Sequence, residues 1–293
     1  MSILKDQLIY LCQTASAPCP KPINGVCANN KLCGLQCGCY NNCVDCLGKI
    51  FYDPIHRHRK YECLPITYTY VERFTDTFAS EVYRILDNHD YIFNDIEEKN
   101  ILSLGCGPAT ELIAIEKIMR DKSINAPCHY AGFDKNDIWS SVWNFIIQIF
   151  QSNHISVAFQ NVLLLPDNSL LQNTKLLILN HVVSDVYKHS KYPSADTYNF
   201  LQTDITQIIH QMPSDSFILI SDANSNRMGR DEIERWVNNS SITQIIDIGC
   251  FENFKYPDRA KFYSAAAKVR QDRSSVFTNN QVCQSAYVLL KKM

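Results

Sequence analysis

The sequence predicts an α/β protein built on a seven-stranded, doubly wound sheet, with a small cysteine-rich segment in front. Three observations carry this reading. From residue 100 onward, short apolar runs alternate with longer helix-like stretches, the pattern of strands covered by helices on both faces. One of these runs passes straight into a glycine loop, Gly105-Cys106-Gly107. Nine of the 13 cysteines fall in residues 1–63.

Residues 1–65 are read as a separate cysteine-rich module. Four of the nine glycines, Gly25, Gly34, Gly38 and Gly48, lie here, where small residues let the backbone turn tightly around a ligand atom. Residues 66–99 form a helical lead-in, because Val71, Phe74, Phe78, Val82, Ile85 and Leu86 recur at helical spacing. Strands are expected at 100–105, 128–133, 155–159, 175–180, 216–221, 242–249 and 285–292, and the clearest helices at 109–121, 137–152 and 196–212. No helix is evident between the last two strands, so the seventh is expected antiparallel at the sheet edge. Residues 66–293 thus form one domain.

Composition removes several classes. Hydrophobic residues make up 46% and charged residues 20%, which suits a folded chain rather than a disordered one. A net charge of −2 excludes a polycation held on nucleic acid by charge alone. No run of 18 apolar residues exists, so no transmembrane helix is expected. The N-terminal stretch lacks a basic region followed by a long apolar one, so a cytoplasmic, reducing setting is expected. There, a cysteine cluster points to metal rather than disulfides.

The stretch ILSLGCGPATELIAI (101–115) is the most informative. Glycines permit a tight turn and close backbone approach, and the following helix offers free N–H groups to a nucleotide-type ligand. The third glycine of a dinucleotide fingerprint is absent, with Ala109 in its place. Glu111 sits in the first helical turn, where a carboxylate repels a pyrophosphate and suits a cationic amino group. The next strand ends in Asp134, placed to accept both hydroxyls of a ribose.

With these residues on the page, the chain resembles the class I S-adenosylmethionine-dependent methyltransferases over residues 66–293. Leu104-Gly105-Cys106-Gly107-Pro108-Ala109-Thr110-Glu111 and Asp134 carry the likeness, together with seven strands ending in a hairpin. The resemblance implies S-adenosylmethionine as cofactor. Gly105, Cys106 and Gly107 would pass under the methionine moiety, Glu111 would face its amino group, and Asp134 would hold the ribose. Gln160, Asn161 and Val162 would border the adenine. Asn180 and His181, with Asp185 nearby, would lie close to the transferred methyl and are the candidate catalytic residues. Tyr187 and Asp222 either line the pocket or simply end their elements. No N/D-P-P-Y motif follows the fourth strand, and no cysteine stands there as in the 5-methylcytosine enzymes.

The cysteine segment reads Cys27-x5-Cys33-x3-Cys37-x-Cys39-x3-Cys43-x2-Cys46, with Cys63 beyond and His56 and His58 between. Cys43-x2-Cys46 has the spacing of a zinc-ligand pair, and Cys33-x3-Cys37 offers a second. Metal would supply the folding energy that so small a module cannot draw from a core. Cys39-x3-Cys43-x2-Cys46 also has the spacing of radical S-adenosylmethionine enzymes, but these need a (β/α) barrel that the following pattern does not provide. An iron–sulfur cluster of another kind, or free thiols, remain as alternatives to zinc. Arg57, Arg59 and Lys60, with Phe51, Tyr52 and Tyr61 nearby, form a basic-aromatic patch suited to RNA or DNA, or else a solvated face. The basic segment 255–273 would join it. The functional expectation is methyl transfer to an O or N of RNA or another nucleic acid. A small-molecule or protein methyltransferase and a non-catalytic binding protein on the same fold are the alternatives.

Overall fold

The computed structural model describes residues 3–15, 47, 64–93, 99–151, 154–161, 166–225, 228–252 and 283–293. Helix α1 (Ile3–Ala15) carries Leu4, Leu8 and Cys12 at four-residue spacing, and all three are buried. That stripe packs on α2 (Leu64–Asn88), in one apolar core with Val71, Val82 and Ile85. Lys5 of α1 also meets Asp76 of α2 at 2.9 Å. This part of the 1–65 segment therefore shares the core of the α/β body.

All seven expected strands are present: β1 (Lys99–Leu104), β2 (Cys128–Asp134), β3 (Ile155–Asn161), β4 (Leu176–Asn180), β5 (Phe217–Ala223), β6 (Thr243–Glu252) and β7 (Cys283–Lys292). Between them run α3 (Thr110–Asp121), α4 (Ser140–Phe150), α5 (Asn168–Asn173), α6 (Val183–His189), α7 (Pro193–Asn199), α8 (Thr206–Gln211) and α9 (Arg230–Asn239). The strands form one sheet in the order β3-β2-β1-β4-β5-β7-β6. The first five are parallel, and β7 runs antiparallel to both its neighbours.

Strand residues alternate between two apolar layers. Ile101, Leu176, Ile178 and Leu219 face the layer built with α1 to α4. Leu102, Leu177, Leu179, Ile218 and Ile220 face the layer with Ile205, Ile209 and Trp236. Covering on both faces explains why these strands read as unbroken apolar runs.

Two expectations are corrected. The seventh strand is antiparallel but does not lie at the edge; it inserts between β5 and β6, and β6 takes the edge. The cause is apolar content. Ala286 to Leu290 are all fully buried, whereas Ile245 of β6 is 42% exposed and β6 has a register break between Ile245 and Asp247, a feature suited to an edge. The helix expected over 196–212 is divided into α7, a π-helical turn (Phe200–Ile205) and α8. Cys250 is disulfide-bonded, and Cys12, Cys106 and Cys128 are free and buried. Among the described residues no helix is long and apolar enough to cross a membrane.

Candidate functional site

The strand order reverses between β1 and β4, and in an open parallel sheet ligands bind at the carboxyl ends of the strands where this happens. β1 delivers the glycine loop to that crevice. Gly105 and Gly107 have φ of +62° and +48°, and Ala109 shares the left-handed region at +52°. A Cβ on Gly105 would lie 2.0 Å from Val182 Cγ2, so only glycine lets the β1 loop pass the β4 loop. The Trp143 indole donates to the Gly107 carbonyl at 2.7 Å, and Trp139 packs beneath Gly107.

Asp134 closes the loop from β2. Its carboxylate accepts the N–H of Gly107 at 2.9 Å and of Asn136 at 2.8 Å. Burial pushes this acid above the ordinary carboxylate range; the two N–H donors oppose that rise and Asp185 adds to it. Gln160 and Asn161 are exposed at the end of β3, and Asn161 is the register partner of Asp134. Val162 lies outside the described residues.

Glu111 does not project into open space. It is 1% exposed and accepts the hydroxyls of Ser103 and Tyr130, each at 2.5 Å. Burial raises its pKa against those donors and Asn180. Cys106 is also buried, its thiol pushed well up by burial and by the charges of Asp134 and Glu111. Asn180, at the end of β4, donates to Thr110 Oγ1 at 3.3 Å, while its Oδ1 is buried with no hydrogen-bond partner among the described residues. Ser221, its register partner on β5, likewise has a buried Oγ with no partner.

His181 follows immediately in a left-handed conformation, φ +57°, uncommon for a residue with a side chain. Its N–H donates to the Ser221 carbonyl at 2.7 Å. Its Nε2 lies 3.2 Å from Glu81 Oε2 and its Nδ1 4.0 Å from Asp222 Oδ1. The ring stacks on Phe78, with centroids 3.8 Å apart. Burial pulls this imidazole down; the hydrogen bond and charge of Glu81, with Asp222 and Asp185 behind them, reverse the effect and hold it above its ordinary value. Asp185 of α6 is half-buried and raised by burial, with Lys188 and His189 opposing.

The structure thus brings Gly105, Cys106, Gly107, Glu111, Asp134, Asn180, His181 and Asp185 to one crevice. It adds Glu81 and Tyr70, which the sequence reading lacks, and decides between the two readings of Asp222. Glu81, 3% exposed, comes from the middle of α2. Asp222 is fixed as a pocket-side residue by the N–H groups of Ser184 at 3.0 Å and Ala223 at 2.6 Å. Tyr70 is buried and feels the charges of Asp185, Glu111, Asp134 and Asp222. The only forward signal for Glu81 and Tyr70 is the apolar stripe of α2, which places Phe74 and Phe78 on the face carrying both. The proposed metal ligands Cys27, Cys33, Cys37, Cys39, Cys43, Cys46 and Cys63 lie outside the described residues, as do Arg57, Arg59, Lys60 and segment 255–273. Among the described residues there is no metal-ligating cluster.

No protein-family model and no curated protein sequence matches the chain. Solved structures give distant matches. Magnesium protoporphyrin IX methyltransferase of Synechocystis PCC 6803, with bound S-adenosylhomocysteine, is 9% identical with a TM-score of 0.45, covering 86% of this chain and 99% of that one. The likeness is one of fold. The plantazolicin methyltransferase BpumL, also with S-adenosylhomocysteine, is 13% identical with a TM-score of 0.45, covering 84% and 93%. An rRNA methylase from Streptococcus thermophilus is 10% identical with a TM-score of 0.38, covering 71% and 96%.

Proposed function

We propose that the chain transfers the methyl group of S-adenosylmethionine to an oxygen or nitrogen nucleophile. The observation that carries this reading is the buried, unpartnered Asn180 Oδ1, beside a glycine loop and backed by the carboxylate of Glu111. Leaving such an acceptor unmet costs about 1–3 kcal/mol, and a ligand's ammonium group satisfies it. A pyrophosphate would find acceptors there instead of donors. The residues fit the cofactor piece by piece. Gly105, Cys106 and Gly107 give it a backbone cradle with no side chain in the way. Asp134, held by two N–H groups, keeps lone pairs for the ribose hydroxyls. Gln160, Asn161 and Val162 would edge the adenine. Asn180 and Glu111 act on the ammonium, Glu111 through Asn180.

When bound, the sulfonium supplies an electrophilic methyl. The chain's task is then alignment and exclusion of water, and proximity accounts for much of the acceleration. His181 and Asp185 would stand on the acceptor side. For the acceptor itself we propose RNA or another nucleic acid, on the charge of Arg57, Arg59, Lys60 and segment 255–273, with zinc stapling the seven cysteines, or an iron–sulfur cluster in its place.

Labelled cofactor incubated with the full chain and a fractionated cell extract tests this reading. Label is expected in a nuclease-sensitive fraction; label in a protease-sensitive or small-molecule fraction would replace the nucleic-acid acceptor, and label nowhere would overturn methyl transfer. Elemental analysis is expected to find zinc in the full chain, and absorption near ~400 nm would assign iron–sulfur instead.

A further inference from the structure

Resting on the methyl-transfer reading, we propose that Glu81 and His181 form the acceptor-side base of the site, Glu81 holding the Nε2 proton so that Nδ1 takes the proton of the incoming nucleophile, with Asp222 as the charge behind it. Four independent features converge on this ring. His181 occupies a left-handed backbone position directly after Asn180, and strain of that kind persists where the surroundings impose it. Its plane is fixed by Phe78. Its Nε2 is within hydrogen-bond reach of a carboxylate, and that carboxylate is itself tied down by the Ser285 hydroxyl. Its Nδ1 is 4.0 Å from Asp222 Oδ1, beyond a hydrogen bond. A carboxylate that takes one ring N–H and leaves the other nitrogen open is the arrangement of a base with its orienting partner.

The balance is simple. The lone pair of the acceptor atom forms the new bond to carbon, while the carbon–sulfur bond breaks and its electron pair stays on sulfur. The proton on the acceptor atom passes to His181 Nδ1, the imidazolium gains from the charge of Asp222, and the proton leaves to water. Glu81, whose polar contacts among the described residues are His181 and Ser285, is a positioning residue. The charged groups facing the ring are Glu81 from α2, Asp222 from β5 and Asp185 from α6. Together they narrow the acceptor to an atom that carries a proton and is not itself anionic: a hydroxyl, phenol or N–H. A phosphate or carboxylate oxygen would meet like charge on three sides.

The test is a histidine NMR titration of the full chain, with the His181 signal assigned by its loss in His181→Asn. The wild-type ring is expected to deprotonate to the Nε2–H tautomer with a midpoint above 6.5. In Glu81→Gln that midpoint is expected to fall, by about tenfold in proton affinity, with loss of the tautomer preference; Glu81→Asp is expected to restore both in part. A Nδ1–H tautomer in the wild type, or an unchanged midpoint in Glu81→Gln, would overturn the pairing. S-adenosylhomocysteine binding is read on the same samples. Its absence from the wild type would overturn the methyl-transfer reading while the titration still decides the pairing; binding retained in Glu81→Gln supports an acceptor-side role. Label transfer into the extract is expected to rise with pH through the His181 midpoint and to drop about 100-fold or more in His181→Asn; a wild-type rate in that variant would overturn the base.

Discussion

Helix α2 and the residue just after it supply partners to two histidine–carboxylate pairs, and the two differ in how completely they are closed. His89, beyond the end of α2, meets Asp247 at 2.8 Å through Nε2 and the Tyr91 hydroxyl at 3.2 Å through Nδ1. Tyr287 donates to the same carboxylate oxygen at 2.8 Å. Every ring nitrogen is used, and Tyr91 packs on Phe217 at the start of β5, so the cluster clasps α2 to the far end of the sheet. His181 sits at the carboxyl ends of the strands. Among the described residues it has one close polar partner and one nitrogen beyond hydrogen-bond reach of Asp222, and its backbone is strained. The same two residue types make a clasp where all capacity is spent and leave a ring nitrogen open where it is not.

The largest expected effect comes from a change that touches only the open pair's surroundings. Gly105→Ala puts a Cβ against Val182, the residue after His181, and is expected to weaken S-adenosylhomocysteine binding by about 100-fold or more in calorimetry, roughly the 3 kcal/mol of a severe backbone clash. The His89 clasp should be untouched.

Next come the histidines themselves. His89→Ala takes one of its two side-chain donors from the Asp247 carboxylate and is expected to cost about 1–3 kcal/mol in urea unfolding. His181→Asn is expected to cost less than about 1 kcal/mol, because asparagine tolerates the left-handed position. Equal losses would erase the distinction between clasp and site.

The pairs also differ in the sign of their pH dependence. His181 is held above its ordinary value, so its contribution to stability is complete below about 6.5 and fades as pH rises through the folded value. Burial pushes Asp247 up, but the hydrogen bonds from His89 and Tyr287 outweigh it and hold the acid below its ordinary value. Its contribution is complete above the ordinary carboxylate range and is lost as pH falls through the lowered value. Melting temperatures of His181→Asn and Asp247→Asn across the pH range should converge on the wild type at opposite ends. The smallest effect is Tyr287→Phe, which removes one hydrogen bond and is expected to cost about 1 kcal/mol with no change in cofactor binding.

The strands were legible because each is a short apolar run between turn residues, and the crevice was legible because Gly105, Gly107, Asp134 and Asn180 stand at strand ends and Glu111 opens the helix after β1, where position along the chain nearly dictates position in space. What was not legible depends on pairing between distant segments. Periodicity says that β7 is a strand but not that it lies between β5 and β6; the full burial of Ala286–Leu290 decides that. Glu81 looks like one polar residue on an amphipathic helix, and nothing local ties it to His181, 100 residues away. Glu111 stands out for its charge, yet it is buried behind Ser103, Tyr130 and Asn180, which donate to it. Helix α1 had a readable stripe in Leu4, Leu8 and Cys12, masked by the cysteine count of the segment around it.

The central claim is that the crevice between β1 and β4 binds S-adenosylmethionine through the glycine loop and Asp134. Calorimetric titration of the full chain with S-adenosylhomocysteine tests it most directly, set beside Asp134→Ala. The expected result is one site per chain in the wild type and a loss of about 10- to 100-fold in the variant, the worth of a charge-assisted hydrogen bond. No binding to the wild type, or equal affinity in the two proteins, would contradict it.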